Sequence, residues 1–108
     1  MLKRGHFVPI VSPGSYGKPR PALIIQSDLF NELPSITVLP LTSTLRNVSL
    51  FRIRVEPSRE NGLTVVSEIM VDKILTLPND KIGQPFGKID PILMEEVSKS
   101  LIVFLGIV

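Results

Sequence analysis

The sequence predicts a mainly β domain, a curled antiparallel sheet or barrel with one helix at its C-terminal end. Three observations lead to this fold class. The strand-like runs are short and follow one another closely, so they leave no room for the crossover helices of a parallel sheet. Only one segment, near the C-terminus, has a long helical pattern. The chain has 108 residues, enough for a single core, and residues 1–108 are therefore interpreted as one domain.

Six apolar runs predict the strands, and each is bounded by residues that favour turns. The runs are 6–11, 22–26, 36–41, 51–56, 63–71 and 87–89. The fourth run alternates most clearly, because Phe51, Ile53 and Val55 fall on one face and charged residues fall on the other. Pro9 and Pro40 interrupt two other runs and cannot donate a ladder hydrogen bond, so we expect them at edges or bulges.

The C-terminal segment predicts an amphipathic helix. Asp90 is a favourable N-cap, Pro91 suits the first helical position, and Gly106 suits the C-terminal end. A row of apolar residues recurs at helical spacing, and we expect this row to pack on the sheet. The row consists of Leu93, Val97, Leu101, Phe104 and Leu105. Short helical turns are predicted within 28–33 and 71–75.

Composition excludes several classes of protein and of site. Hydrophobic residues make up 44% of the chain and charged residues 20%, which is typical of soluble globular proteins. No apolar run approaches the ~20 residues that span a bilayer, and the N-terminus does not read as a secretory signal. We therefore expect a cytoplasmic protein with no membrane partner. Cysteine is absent and His6 is the only histidine, so no disulfide, metal site or cofactor is predicted.

Charge is distributed unevenly along the chain. Residues 1–59 carry eight basic and three acidic residues, a net charge of +5, whereas residues 60–108 carry four and seven, a net charge of −3. The split indicates a basic face that could meet phosphate, although an ordinary solvated surface explains it equally well. Arg46, Arg52 and Arg54 are the candidates for phosphate contacts on such a face.

The stretch KPRPAL, residues 18–23, holds Arg20 between two prolines immediately before an apolar run. Proline fixes its own φ and pushes the preceding residue toward extended geometry, so Lys18 and Arg20 are both constrained. A charge held this stiffly indicates a bound partner. The alternative is a plain surface arginine.

Five segments, taken in order, resemble the MazF/PemK family of toxins from bacterial toxin–antitoxin pairs. The segments are KRGHFVPIV, RPALIIQSDLFN, ITVLPLTSTLR, VDKI and GKIDPILMEEVSKSLIVFLG, and together they run from Lys3 to Gly106. The most specific pieces are Arg20-Pro21-Ala22 and, about twenty residues later, Pro40-Leu41-Thr42. The resemblance implies an SH3-like barrel of the MazF/CcdB type, a homodimer, and a metal-independent endoribonuclease that cuts single-stranded mRNA at short sequences.

The resemblance also implies the catalytic residues. Arg20 and Thr42 are the predicted catalytic pair, with a guanidinium to stabilise charge on the phosphate and a hydroxyl to add a neutral hydrogen bond. The predicted substrate-binding residues are Lys18, Ser43, Thr44, Arg46 and Asp72. For Thr42, Ser43 and Thr44 the alternative is a turn-forming role, since hydroxyls after a strand are often turn formers. Asp72 matches a recurring aspartate of the family, for which we favour a structural role over a catalytic one.

The chain departs from the family pattern at several positions. His6 stands where the family usually has aspartate, and we favour a strand-end or surface role for it. The loop 12–19 is shorter than usual and lacks acidic or amide residues and a second histidine, so base recognition is expected to differ. Lys73 and Leu75 replace a glutamine and a basic residue of the family.

Two partners follow from the resemblance besides single-stranded RNA and a second copy of the chain. A cognate antitoxin is expected, and DNA would be contacted only indirectly through the antitoxin complex. A gyrase poison of the CcdB type is the alternative function, because it shares the fold and acts by binding. The tail FLGIV keeps Gly106 and Ile107 of that class but has Leu105 in place of tryptophan and an extra Val108.

Overall fold

A computed structural model describes residues 2–14 and 16–107 of the chain. Within them, seven strands precede one α-helix. The strands are β1 (His6–Ile10), β2 (Arg20–Ile24), β3 (Ser35–Thr42), β4 (Arg52–Val55), β5 (Ser67–Met70), β6 (Leu75–Pro78) and β7 (Gly87–Lys88). The helix α1 spans Pro91–Leu105, and short 3-10 helices occupy Asp28–Phe30, Val71–Lys73 and Asn79–Lys81.

The strands form one antiparallel sheet in the order β4-β5-β3-β2-β1-β7, with β6 paired to β3. Strand β3 organises the sheet, because one of its edges pairs with β2 while the other pairs with β6 as far as Val38 and with β5 from Leu41. The result is a half-barrel with one C-terminal helix, so the predicted mainly β class is confirmed. None of the helices in the described residues is long and apolar enough to cross a membrane.

Side chains alternate across the sheet and build a core on each of its faces. Phe7 and Leu23 belong to the cluster that also includes Val97 of α1, whereas Val8 and Ala22 belong to a second cluster on the other face. Both faces of β1 and β2 are therefore buried, which fixes the register of these strands. The functional groups are carried at the ends of strands that the core holds rigidly.

Most predicted strands form, with two differences. The run 63–71 pairs only over Ser67–Met70, and β6 was not predicted, because its four residues contain Pro78 and are too short to show a pattern. Pro9 lies across from Pro21, beyond the part of β1 that pairs with β7. Pro40 lies where β3 changes its partner from β6 to β5. Both prolines therefore sit where ladder pairing on one side of the strand is interrupted.

The ends of α1 are as predicted, but its apolar row is only partly buried. Asp90 accepts from the backbone N–H groups of Ile92 and Leu93 at 3.1 and 3.2 Å, and Gly106 ends the helix at φ 70°. Val97 is fully buried. The prediction that Phe104 and Leu105 face the sheet is wrong, because both are almost half exposed at the end of the helix. The predicted turns within 28–33 and 71–75 are confirmed as 3-10 helices.

Candidate active site

An open groove of about 910 Å³ crosses the ends of β2, β3 and β5 and the start of β6. The residues that the sequence predicted for the site contribute five of its lining side chains. These are Arg20, Thr42, Ser43, Thr44 and Asp72. Segments far apart in the sequence therefore meet at one surface, and the barrel topology brings them there.

Arg20 and Thr42 lie on neighbouring strands and on the same face of the sheet. Ala22 of β2 pairs with Pro40 of β3, and continuing this antiparallel register by two residues places Arg20 across from Thr42. Neighbouring strands are about 4.8 Å apart, so a phosphate can contact both side chains at once. Thr42 in turn pairs with Glu68 of β5, and Glu68 pairs with Arg54 of β4.

These pairings form what we call the four-strand row, which consists of Arg20, Thr42, Glu68 and Arg54. Arg20 begins β2 and is exposed. Its guanidinium makes no ion pair or hydrogen bond within the described residues. Because the flanking prolines restrict its backbone, Arg20 presents an available cation in a restrained position.

The hydroxyl of Thr42 has a defined hydrogen-bond direction. Its Oγ1 accepts from the backbone N–H of Thr44 at 3.1 Å. A threonine hydroxyl has one proton to donate, and this contact does not use it. The proton therefore remains available for an oxygen atom in the groove. The turn-forming role and the proposed role of Thr42 are compatible, since they use different parts of the hydroxyl.

Asp72 lines the groove, and a buried arginine holds its carboxylate. Arg52 donates through Nε and Nη2 to the two carboxylate oxygens at 2.9 and 3.2 Å. Burial raises the pKa of Asp72, whereas the hydrogen bonds and positive charge of Arg52 lower it. The lowering outweighs the effect of burial, so the pKa of Asp72 lies below its ordinary value. Arg52 is 6% exposed, so its expected phosphate contact is wrong: its guanidinium is committed to Asp72.

The remaining predicted residues lie outside the groove lining. Lys18 is exposed in the loop before β2, and Arg46 is exposed in the loop after β3. Arg54 pairs with Glu56 at 2.8 Å. His6 begins β1, four residues from Ile10, which pairs with Arg20. A strand rises about 3.3 Å per residue, so His6 lies at the far end of β1 from the groove.

His6 has a local partner at its end of the strand. Its Nδ1 accepts from the backbone N–H of Lys3 at 3.1 Å. Partial burial and the positive charge of Lys3 lower the pKa of His6. The backbone contact agrees with the strand-end role that we favoured from the sequence.

Glu68 was missed by the sequence analysis. The residue is 2% exposed, and its two carboxylate oxygens accept hydrogen bonds from the backbone N–H groups of Arg46 at 3.0 Å and Asn47 at 2.9 Å. The N–H of Arg46 lowers the pKa of Glu68 more than burial raises it. The signal was a single acid inside the apolar run LTVVSEIMV, where a carboxylate needs a specific partner.

The groove itself is less basic than the charge pattern suggested. Arg20 and Lys73 are its lining cations, and Asp72 is its lining acid. Hydroxyl groups and apolar side chains make up most of the remaining surface, including Ser43 and Thr44. Within the described part of the chain, no three His, Cys, Asp or Glu side chains are grouped as metal ligands would be.

The chain as a whole matches a known protein family. The sequence profile of the family of PemK-like, MazF-like toxins of type II toxin–antitoxin systems matches residues 4–105. The chain belongs to this toxin family. Toxins of the MazF type are endoribonucleases. The chain is 40% identical over 107 residues to a probable endoribonuclease MazF of Mycolicibacterium smegmatis, and the alignment covers 98% of each chain.

Solved MazF structures share the fold of the PemK/MazF-like chain. An endoribonuclease in complex with its cognate antitoxin from a mycobacterial species superposes with a TM-score of 0.82 at 25% identity, covering 100% of this chain and 98% of that one. A MazE–MazF structure from Deinococcus radiodurans gives a TM-score of 0.81 at 22% identity, covering 99% and 98%. The barrel-plus-helix architecture is therefore that of MazF toxins.

Proposed function

We propose that this PemK/MazF-like toxin, acting as one domain over residues 1–108, cuts single-stranded mRNA at short sequences in the cytoplasm. Cleavage proceeds through the substrate's own 2′-hydroxyl and needs no metal ion. The observation that carries the proposal is the position of Arg20 across from Thr42 in an open groove. A free, restrained guanidinium and a hydroxyl with an available proton suit a phosphate that gains negative charge.

The reaction is an internal transesterification. The 2′-hydroxyl gives its proton to solvent as its oxygen bonds to the adjacent phosphorus, and the bond to the 5′-oxygen breaks. The 5′-oxygen takes a proton from water, which leaves a 2′,3′-cyclic phosphate and a 5′-hydroxyl. Negative charge builds on the non-bridging oxygens, where Arg20 donates as a planar pair and Thr42 donates one hydrogen bond. A guanidinium stays protonated in proteins, so we assign Arg20 an electrostatic role rather than that of a base.

Substrate binding is assigned to the rest of the groove. Ser43 and Thr44 offer hydroxyl groups that donate or accept at base edges or phosphates, and Asp72 offers a carboxylate already fixed by Arg52. Lys18 and Arg46 stand outside the lining and are assigned to the flanking phosphates. Arg54 remains exposed at the end of the four-strand row, paired with Glu56.

The toxin's partners are proposed from its family and its surface. We assign it a homodimeric state, supported by the apolar residues that remain exposed at the end of α1, and a cognate antitoxin whose partly disordered acidic segment covers the groove. Arg20 and Lys73 give that segment cationic partners in the groove. DNA is contacted only through the antitoxin complex.

The deciding experiment measures cleavage of a single-stranded RNA in the presence of a chelator. Arg20→Ala is expected to lower the rate by ~10²-fold or more, as loss of one preorganised charge donor typically does, and Thr42→Ala is expected to cost less. Arg59→Ala is the matched control, because it removes an exposed arginine outside the groove lining and is expected to retain wild-type activity.

Two results would contradict this function. A substrate with a single 2′-deoxy nucleotide at the cut must survive, since it lacks the attacking hydroxyl. Cleavage of that substrate, or full activity of Arg20→Ala, would mean that the reaction uses another site. Inhibition of a supercoiling reaction by the intact toxin, without RNA cleavage, would favour the gyrase-poison alternative.

A further inference from the structure

The carboxylate of Glu68 is enclosed next to Thr42. The residue is 2% exposed and lies directly across from Thr42 in the β3–β5 register. A buried carboxylate is costly unless hydrogen bonds satisfy its charge. Both oxygens of Glu68 are satisfied, and both partners are backbone N–H groups, those of Arg46 and Asn47.

These two N–H groups belong to the loop that follows β3. Asn47 has a φ of 60°, in the left-handed region, and successive N–H groups in such a turn form a concave site for an anion. The rest of the loop, residues 43–50, is exposed. Its other hydrogen bonds join the Thr44 N–H to the Thr42 hydroxyl, the Arg52 N–H to the Val48 carbonyl at 3.0 Å, and the Ser100 hydroxyl to the Leu50 carbonyl at 2.8 Å.

The loop that Glu68 holds is one wall of the groove, because Ser43 and Thr44 line it. We propose that Glu68 is a positioning residue for RNA binding, which fixes residues 43–47 so that Ser43 and Thr44 face the substrate. This inference rests on the proposed nuclease function and assigns a specific contribution within the same site. Glu68 does not contact RNA; it acts through the backbone of Arg46 and Asn47.

Removing the charge of Glu68 changes RNA binding in opposite directions under a positioning role and under a purely electrostatic role. Glu68 is negative and lies beside a groove that binds a polyanion, so charge alone predicts that its removal tightens RNA binding. Positioning predicts the opposite, since Glu68→Gln keeps the shape but offers one oxygen and one NH₂ group to two N–H donors. One of the two backbone donors then loses its acceptor, and the loop is released.

The test compares steady-state cleavage by Glu68→Gln and by Glu56→Gln. We expect Glu68→Gln to raise KM about tenfold while kcat stays within about twofold, the pattern of a lost binding contact. Glu56→Gln removes the same charge from an exposed position and is expected to leave KM and kcat unchanged. An unchanged or lower KM for Glu68→Gln, or an equal fall in kcat and kcat/KM, would overturn the assignment.

A double-mutant cycle tests whether Glu68 acts through the loop. Thr44→Val removes a groove hydroxyl, and if Glu68 works by placing Thr44, the effects of the two substitutions on KM are less than additive. Fully additive effects would mean that Glu68 influences RNA by another route.

A measurement on the wild-type toxin covers the case in which Glu68→Gln does not fold. Amide hydrogen exchange in residues 43–47 is expected to slow when an uncleavable 2′-deoxy-substituted RNA binds, and unchanged exchange there would overturn the inference. Failure of the wild type to cut RNA would instead contradict the proposed function itself. Normal cleavage with an unchanged KM in Glu68→Gln would contradict only the role of Glu68.

Discussion

At the residue scale, the Arg52–Asp72 ion pair fixes one carboxylate of the groove in the free toxin. Arg52 is buried and donates two of its N–H groups to the carboxylate of Asp72. A buried ion pair adds little stability compared with a well-packed apolar pair, but removing one partner leaves an uncompensated buried charge, which is destabilising. Asp72 is therefore valuable to the fold irrespective of its assigned contact with RNA.

Asp72→Asn is expected to lower the free energy of unfolding by about 3 kcal/mol at neutral pH, because it leaves the Arg52 guanidinium buried without a counter-charge. The lowered pKa of Asp72 means that its contribution is present above the carboxyl pKa of the unfolded chain. The contribution is lost as the pH falls through the lowered, folded-state pKa. The difference between wild type and Asp72→Asn in urea unfolding should accordingly shrink in acid.

The exposed pair of Arg54 and Glu56 provides the comparison, since its side chains are 53% and 67% exposed. Glu56→Gln is expected to change stability by no more than about 0.5 kcal/mol at any pH, because exposed pairs are weak. If Asp72→Asn proved equally mild, Arg52 would have to be satisfied by another group, and the structural role of Asp72 would be wrong.

At the scale of elements, local signals predicted what local chemistry determines. Asp90, Pro91 and Gly106 define the ends of α1 through caps that need only neighbouring residues. Alternation located the buried residues Ile53 and Val55 of β4. Alternation does not reveal which charged side chains are buried with a partner. Arg52 falls on the predicted solvent side of β4 but is buried against Asp72. Glu68 is tolerated in an apolar run because a distant loop supplies its hydrogen bonds.

The candidate site was predictable only in part, for the same reason. The KPRP stretch marked Arg20 from local stiffness, and the resemblance supplied Thr42. The register that places these two side chains across from each other depends on tertiary pairing. Glu68 could not be assigned a partner from the sequence, since its acceptors bind a loop more than twenty residues away.

The end of α1 carries the exposed apolar side chains on which the proposed dimer rests. Ile102, Val103, Phe104 and Leu105 are each between 44% and 60% exposed. We expect Phe104→Glu to shift the toxin from dimer to monomer in sedimentation at micromolar concentration, because a charge buried in an apolar interface is costly. Its exposed position means that the fold is retained, as circular dichroism can verify.

Lys99→Glu is the matched control on the same helix, since Lys99 is exposed on the polar side of α1. It introduces the same acid outside the apolar end and is expected to remain dimeric. A monomeric wild type would contradict the proposed dimer. Dimers in both variants would mean that the interface does not include this end of α1.

At the scale of the whole molecule, the open groove must be controlled. The proposed cleavage of mRNA at Arg20 and Thr42 would stop translation in the host, and we therefore propose that a cognate antitoxin covers the groove until it is degraded. A disordered acidic segment can do so, because it orders on binding and can place carboxylates on Arg20 and Lys73 and apolar side chains between them. RNA and antitoxin would then compete for one surface.

Competition leads to a prediction about growth. Expression of the toxin alone is expected to stop growth, and co-expression of its cognate antitoxin to restore it. Arg20→Ala is expected to be harmless without any partner, because it removes the charge that the reaction requires while leaving an exposed strand end. Immunoblots must show equal amounts of wild type and variant. Full toxicity of Arg20→Ala would mean that the toxin acts by binding, and inhibition of gyrase would then be the mechanism to test.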